Sequence, residues 1–223
     1  MLAVYTFVFS VVFKVRWGID TGAPKSEFAL VLFVGLIVHA LLAEVLIRAP
    51  GHILSNANYV KKVIFPLEVL TVVNLVAALF HALISFFVLF LALVLLSGMP
   101  GWTVVLIPFT VIPLLPLMLG LGWMLTALGV YLRDIGQFIG IITTTMLFLA
   151  PVFYPITTLP EAYQSFLYLN PITLPIEQTR AVIIFGELPS WKSLGFYTLN
   201  SIAFCWIGFF WFQKARKGFA DVL

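Results

Sequence analysis

Residues 69–96 read VLTVVNLVAALFHALISFFVLFLALVLL, 28 consecutive positions without an Asp, Glu, Lys or Arg. A helix advances about 1.5 Å per residue, and roughly 20 apolar residues cross the hydrocarbon core of a bilayer. A run this long that is apolar on every side is a membrane span. The rest of the chain agrees with it: 62% of its 223 residues are hydrophobic and 9% are charged, and mean hydropathy is +1.13. A soluble domain carries about 25% charged residues. The 12 Lys and Arg and 9 Asp and Glu cannot cover a water-facing surface, which excludes a disordered chain, a nucleic-acid-binding domain and a charge-lined soluble enzyme. The lone Cys205 excludes an intramolecular disulfide and a cysteine-rich metal site.

Working outward from 69–96, apolar runs at 28–47, 103–130, 135–154 and 193–212 qualify as further spans. A sixth run, 1–13 (MLAVYTFVFSVVF), covers only about 20 Å at helical rise. Lys14 and Arg16 follow it and no basic residue precedes it, which is the reverse of a signal peptide. It is expected to be the second half of a span whose first half is absent from this sequence. Six spans put both termini on one side, and the basic tail Lys214-Ala215-Arg216-Lys217 assigns that side to the cytoplasm. Cytoplasmic segments then hold seven basic residues in 34 positions, against five in 58 outside, Arg180 among the five.

Three places break the regular pattern. The connection 48–66 (RAPGHILSNANYVKKVIFP) is too polar to cross. Ser55 and Asn56 suit a helix start, after which Ala57, Val60, Val63 and Ile64 fall on one helical face and Asn58, Lys61 and Lys62 on the other. A short amphipathic helix over about 55–64, lying along the membrane, follows. It fits either a basic anchor to anionic lipid or a docking element for a soluble partner. The stretch 150–189 holds prolines at 151, 155, 160, 171, 175 and 189, which no continuous helix tolerates. Helical spacing within it predicts two short helices over about 160–186, broken at Asn170-Pro171, with Tyr154, Tyr163, Phe166 and Tyr168 at interfacial depth. These are expected to dip into the outer leaflet and return, a path that survives only where protein or water satisfies the backbone. Pro108, Pro113 and Pro116 should kink the outer half of the fourth span, while Gly120, Gly122 and Gly129 let its inner half approach another helix closely.

Chemistry of its own is sparse. No G-x-x-x-x-G-K-[ST] phosphate loop and no H-E-x-x-H occur. His39, Asn74 and His81 are isolated polar groups in apolar helices, best satisfied by a neighbouring helix, and Glu44 and Arg48 sit one turn apart as an ion pair. Span centres lack the paired ionisable residues of an ion-coupled carrier, and no repeat relates the two halves. Energy for uphill transport would have to come from a cytoplasmic partner.

The runs Ser55–Pro66 (SNANYVKKVIFP), Tyr131-Leu132-Arg133-Asp134-Ile135, Pro151-Val152-Phe153-Tyr154-Pro155 and Leu169-Asn170-Pro171, in this order, resemble the permease subunits of bacterial type-2 ABC exporters for lipid-linked polysaccharides such as O-antigen, capsule or teichoic acid. The resemblance covers essentially the whole chain, but the amphipathic cytoplasmic helix that precedes the first span in that family is absent. It implies an all-α integral membrane fold with six transmembrane helices, the first truncated. It also implies a homodimer in the bacterial cytoplasmic membrane with both termini in the cytoplasm, and one permease domain over 1–223. Asn56, Asn58, Tyr59, Lys61, Lys62, Arg133 and Asp134 would couple it to cytoplasmic ABC ATPase subunits, which hold the ATP and Mg. Tyr154, Tyr163, Phe166, Tyr168 and Asn170 would belong to an outer gate, and the cargo would be a lipid-linked glycan. No catalytic residue, metal, cofactor or nucleic-acid partner is implied for the chain itself. An exporter of a drug or small lipid on the same fold, and an ion-coupled carrier or membrane-embedded enzyme, are the alternatives.

Overall fold

The computed structural model of the protein describes Phe7, residues 25–56 and residues 66–222. Within them the regular elements are helices: α1 (Lys25–Arg48), α2 (Glu68–Leu96), α3 (Leu114–Tyr131), α4 (Ile135–Phe148), α5 (Glu161–Leu167), α6 (Thr173–Ile183) and α7 (Trp191–Ala215), with single turns between some of them. Among the described residues, four segments are long and apolar enough to cross a membrane: Glu27–Ser55, Glu68–Leu96, Trp102–Tyr131 and Trp191–Gly218. The protein is therefore an all-helical, multi-pass membrane protein. The run expected to be the first span lies outside the described residues apart from Phe7, as do positions 57–65 of the amphipathic segment.

The proline positions explain the local departures. The segment from Trp102 is built in pieces, a tight turn over Trp102–Leu106, the short helix Ile107–Val111, and then α3. Pro108 and Pro116 each fall in the first turn of a helix and Pro113 caps α3 with φ of −57°, places where a missing N–H costs nothing. The span expected at 135–154 is shorter than that. α4 stops at Phe148 after 14 residues, about 21 Å of rise, because Ala150, before Pro151, is pushed out of helical geometry.

The chain forms two compact units. One gathers Leu41–His81, Ile112–Thr145 and Gly195–Leu223. In it α3 and α7 cross with their backbones touching: a Cβ on Gly208 would lie 2.2 Å from the Gly120 carbonyl oxygen, and one on Gly120 would lie 2.7 Å from that of Phe204. Only glycine permits that approach, as the sequence anticipates for Gly120. Gly129 likewise receives Pro50 of the elbow after α1. Ile53, Leu67, Leu70, Trp123, Ala127, Val130, Phe212 and Phe219 form the core of this unit. Polar groups in it are paired across helices: Asn74 Nδ2 donates to the Val45 carbonyl at 3.0 Å, Trp123 Nε1 to the Glu68 carbonyl at 3.0 Å, and Glu44 meets His81 Nδ1 at 2.8 Å, while within α1 Glu44 also pairs with Arg48 at 2.9 Å. These are the interhelical partners expected for Asn74 and His81 and the expected Glu44–Arg48 pair.

The other unit gathers Met1–Ala40, Ala82–Val111 and Met146–Leu194, so it holds the proline-rich segment. Burial separates the helices: 67% of the apolar window of α1 is buried but only 17% of those of α2 and α7. α2 and α7 expose rows of large side chains, among them Phe80, Leu83, Phe87, Phe196, Trp206 and Phe210. Such a surface is stable in hydrocarbon and not in water.

Candidate functional site

Between α4 and α7 the backbone needs donors that a helix would have supplied itself. Side chains provide them. Tyr154 Oη donates to the Phe148 carbonyl at 3.0 Å and Asn170 Nδ2 to the Met146 carbonyl at 2.9 Å, two of the open carbonyls at the end of α4. Thr173 Oγ1 donates to the Leu167 carbonyl at 2.5 Å, joining the end of α5 to the start of α6. Of the five outer-gate candidates, Tyr154 and Asn170 thus converge on α4. Tyr163, Phe166 and Tyr168 sit on or just after α5 and are 62%, 67% and 56% exposed, forming an exposed aromatic edge. Burial raises the Tyr154 and Tyr168 phenols above the ordinary tyrosine range, and for Tyr168 the charge of Glu177 adds to it.

α6 is the opposite of α5. It buries Thr173, Pro175, Ile176, Thr179, Arg180, Val182 and Ile183. Thr179 hydrogen-bonds Thr110 at 2.9 Å, and Thr103 Oγ1 donates to the Val182 carbonyl at 2.7 Å. At its centre Arg180 is 1% exposed. Its Nε donates to the Val31 carbonyl of α1 at 3.1 Å, Nη2 to the Val152 carbonyl at 2.7 Å, and Nη1 to the Pro151 carbonyl and to Glu177 Oε1, the latter at 3.3 Å. The guanidinium reaches α1 because Gly35 has no side chain; a Cβ there would lie 2.6 Å from Nη2. Burial pulls the Arg180 guanidinium down to about 10, so it remains charged at neutral pH. Burial also raises the Glu177 carboxyl, with the Arg180 charge opposing.

The charge tally counts Arg180 only as one of five basic residues in the outer segments and does not register its burial. A signal was available. Arg180 follows Glu177 by three residues on a helix of otherwise apolar spacing, next to prolines that free carbonyls in need of donors.

The coupling candidates are distributed differently. Asn58, Tyr59, Lys61 and Lys62 lie outside the described residues. Asn56 closes the turn His52–Ser55, its Nδ2 donating to the His52 carbonyl at 2.8 Å, so it ends the preceding turn where the sequence suggested a helix start. Arg133 and Asp134 form the exposed turn between α3 and α4. Asn56 and this turn belong to one unit with the basic tail, where Tyr131 Oη donates to the Ala215 carbonyl at 2.8 Å and Arg216 pairs with Glu68 at 2.9 Å. Among the described residues no group of His, Cys, Asp and Glu is placed to hold a metal ion.

Comparison with known proteins supplies the frame for these elements. The chain is 29% identical to the O-antigen export system permease protein RfbA of Myxococcus xanthus, over 99% of its own length and 82% of the relative's. It is 22% identical to each of two proteins of the same name from Klebsiella pneumoniae, with the same coverage. Residues 1–184 match the family model described as ABC-2 type transporter. With apolar helices long enough to span and a match over most of the sequence, the chain belongs to the ABC-2 type transporter family.

Proposed function

We propose that this protein is the membrane permease subunit of an ATP-driven exporter that carries a lipid-linked polysaccharide, of the O-antigen, capsule or teichoic acid kind, across the bacterial cytoplasmic membrane. The observation that carries this reading is the alignment of nearly the whole chain with permeases named for O-antigen export. The absence of a phosphate loop fits an arrangement in which separate ATPase subunits bind ATP and Mg. Two copies, each with six spans and both termini in the cytoplasm, would enclose the path. ATPase closure would press on 55–64 and the Arg133–Asp134 turn, and the outer segment around α5 and α6 would open. Tyr163, Phe166 and Tyr168 suit the rim of a sugar path, since all three rings expose apolar faces and the two tyrosines add polar hydroxyl tips.

The test is a proteoliposome holding the chain with its ATPase. Lipid-linked glycan should cross only with hydrolysable ATP. Transport of a drug-like or simple lipid substrate in its place would replace the cargo assignment, and transport with the ATPase omitted would overturn the proposal.

A further inference from the structure

Arg180 is unlike every other charged group in the described residues, because it is fully buried while lying outside the four long membrane-crossing segments. Its partners include Val31 on α1, the Pro151–Val152 break after α4, and Glu177 on its own helix. Val31, Pro151 and Val152 each offer a backbone carbonyl, so these contacts survive changes of side chain and depend on where the backbones run. The planar guanidinium, with its fork of five N–H donors, can serve several carbonyls at fixed angles, which an ammonium cannot. Gly35 is the complementary feature, a gap in α1 that lets Nη2 through. α6 is held further by Thr103 and Thr110, whereas α5 has an exposed aromatic edge.

We propose that Arg180 is a positioning residue that binds α1, the 151–152 break and α6 into one moving body, so that a displacement of α1 is transmitted to the outer segment. The physical ground is cost. A buried guanidinium pulled off its carbonyl acceptors is left with unsatisfied charged donors, which is far more expensive than moving those acceptors together with it. α1 runs unbroken from Lys25 to Arg48, so it can carry a displacement along its length. The proposal rests on the exporter reading for its energy source. It needs the 150–189 segment to move, not to be the gate itself.

The experiment uses the chain with its ATPase in proteoliposomes, with a cysteine at the exposed position Phe166 as reporter. In the Arg180 protein, the rate at which a membrane-impermeant maleimide labels Phe166→Cys should differ between the nucleotide-free and ATP-bound states. In Arg180→Gln that difference should vanish while ATP hydrolysis persists, and glycan exported per ATP should fall about fivefold or more, the scale of an allosteric coupling. Arg180→Lys should restore only part of both. Gly35→Ala, which leaves Arg180 in place and fills the gap, should reproduce the Arg180→Gln phenotype, and it carries the test if Arg180→Gln fails to fold. A full nucleotide-dependent change in both variants overturns the proposal, as does its absence from the Arg180 protein. Unimpaired export after labelling Phe166→Cys with a bulky maleimide would instead remove the gate assignment and leave the Arg180 result standing.

Discussion

At Glu177 two forces oppose each other, and the sign of their sum can be measured. Burial favours the neutral carboxyl and Arg180 favours the carboxylate, and burial is the larger. A folded-state pKa above the unfolded value means that the native state holds the proton more tightly, so ionisation of Glu177 weakens the fold as pH rises through the raised pKa. Glu177→Gln should therefore differ less from the unaltered protein at pH 4.5, where the raised pKa favours the neutral carboxyl, and should melt above it at pH 7.5. A difference in melting temperature that is constant with pH, or larger at pH 4.5, would refute this. Residues 177 and 180 also show what a sequence conceals. Their spacing is visible, but whether Arg180 meets water or three carbonyls depends on the return of the chain 149 residues from Val31.

Among the elements, the α3–α7 crossing is the most constrained. Gly208→Ala would drive a methyl group to 2.2 Å from the Gly120 carbonyl, against backbone that cannot rotate away. Overpacking of this kind costs about 1–3 kcal/mol, so the variant should melt several degrees lower in detergent, whereas Gly195→Ala on the same helix meets open space and should not. Gly120 was legible as a close-approach site because small residues in an apolar run have that use. Its partner was not, since helix order in the chain does not state which faces meet. The end of α4 shows the reverse case, in which local rules outweighed the apolar count. Residues 149–154 are apolar enough to extend the span, yet Pro151 and Pro155 end it at Phe148, and Tyr154 and Asn170 supply the donors that the end requires.

For the whole molecule, the proposed exporter makes a prediction about charge. Reversing Lys61 and Lys62 together to Glu should lower co-purification of the ATPase and uncouple its hydrolysis from export, while leaving membrane insertion intact. Unchanged co-purification and coupling would exclude this segment as the docking element. That the chain is a helical membrane protein followed from composition and run length alone, because hydrocarbon accepts only backbones that satisfy themselves, and a long uncharged helix has little alternative. The short helices around 160–186 followed from helical apolar spacing interrupted by prolines, signals that act within a few residues. What tertiary structure alone decided is which carbonyls Arg180 serves, which glycine faces which helix, and that α1 is buried while α2 and α7 are not. Periodicity in an apolar helix is too faint to mark a buried face when nearly every side is hydrophobic, so only the packed chain distinguishes neighbour from lipid.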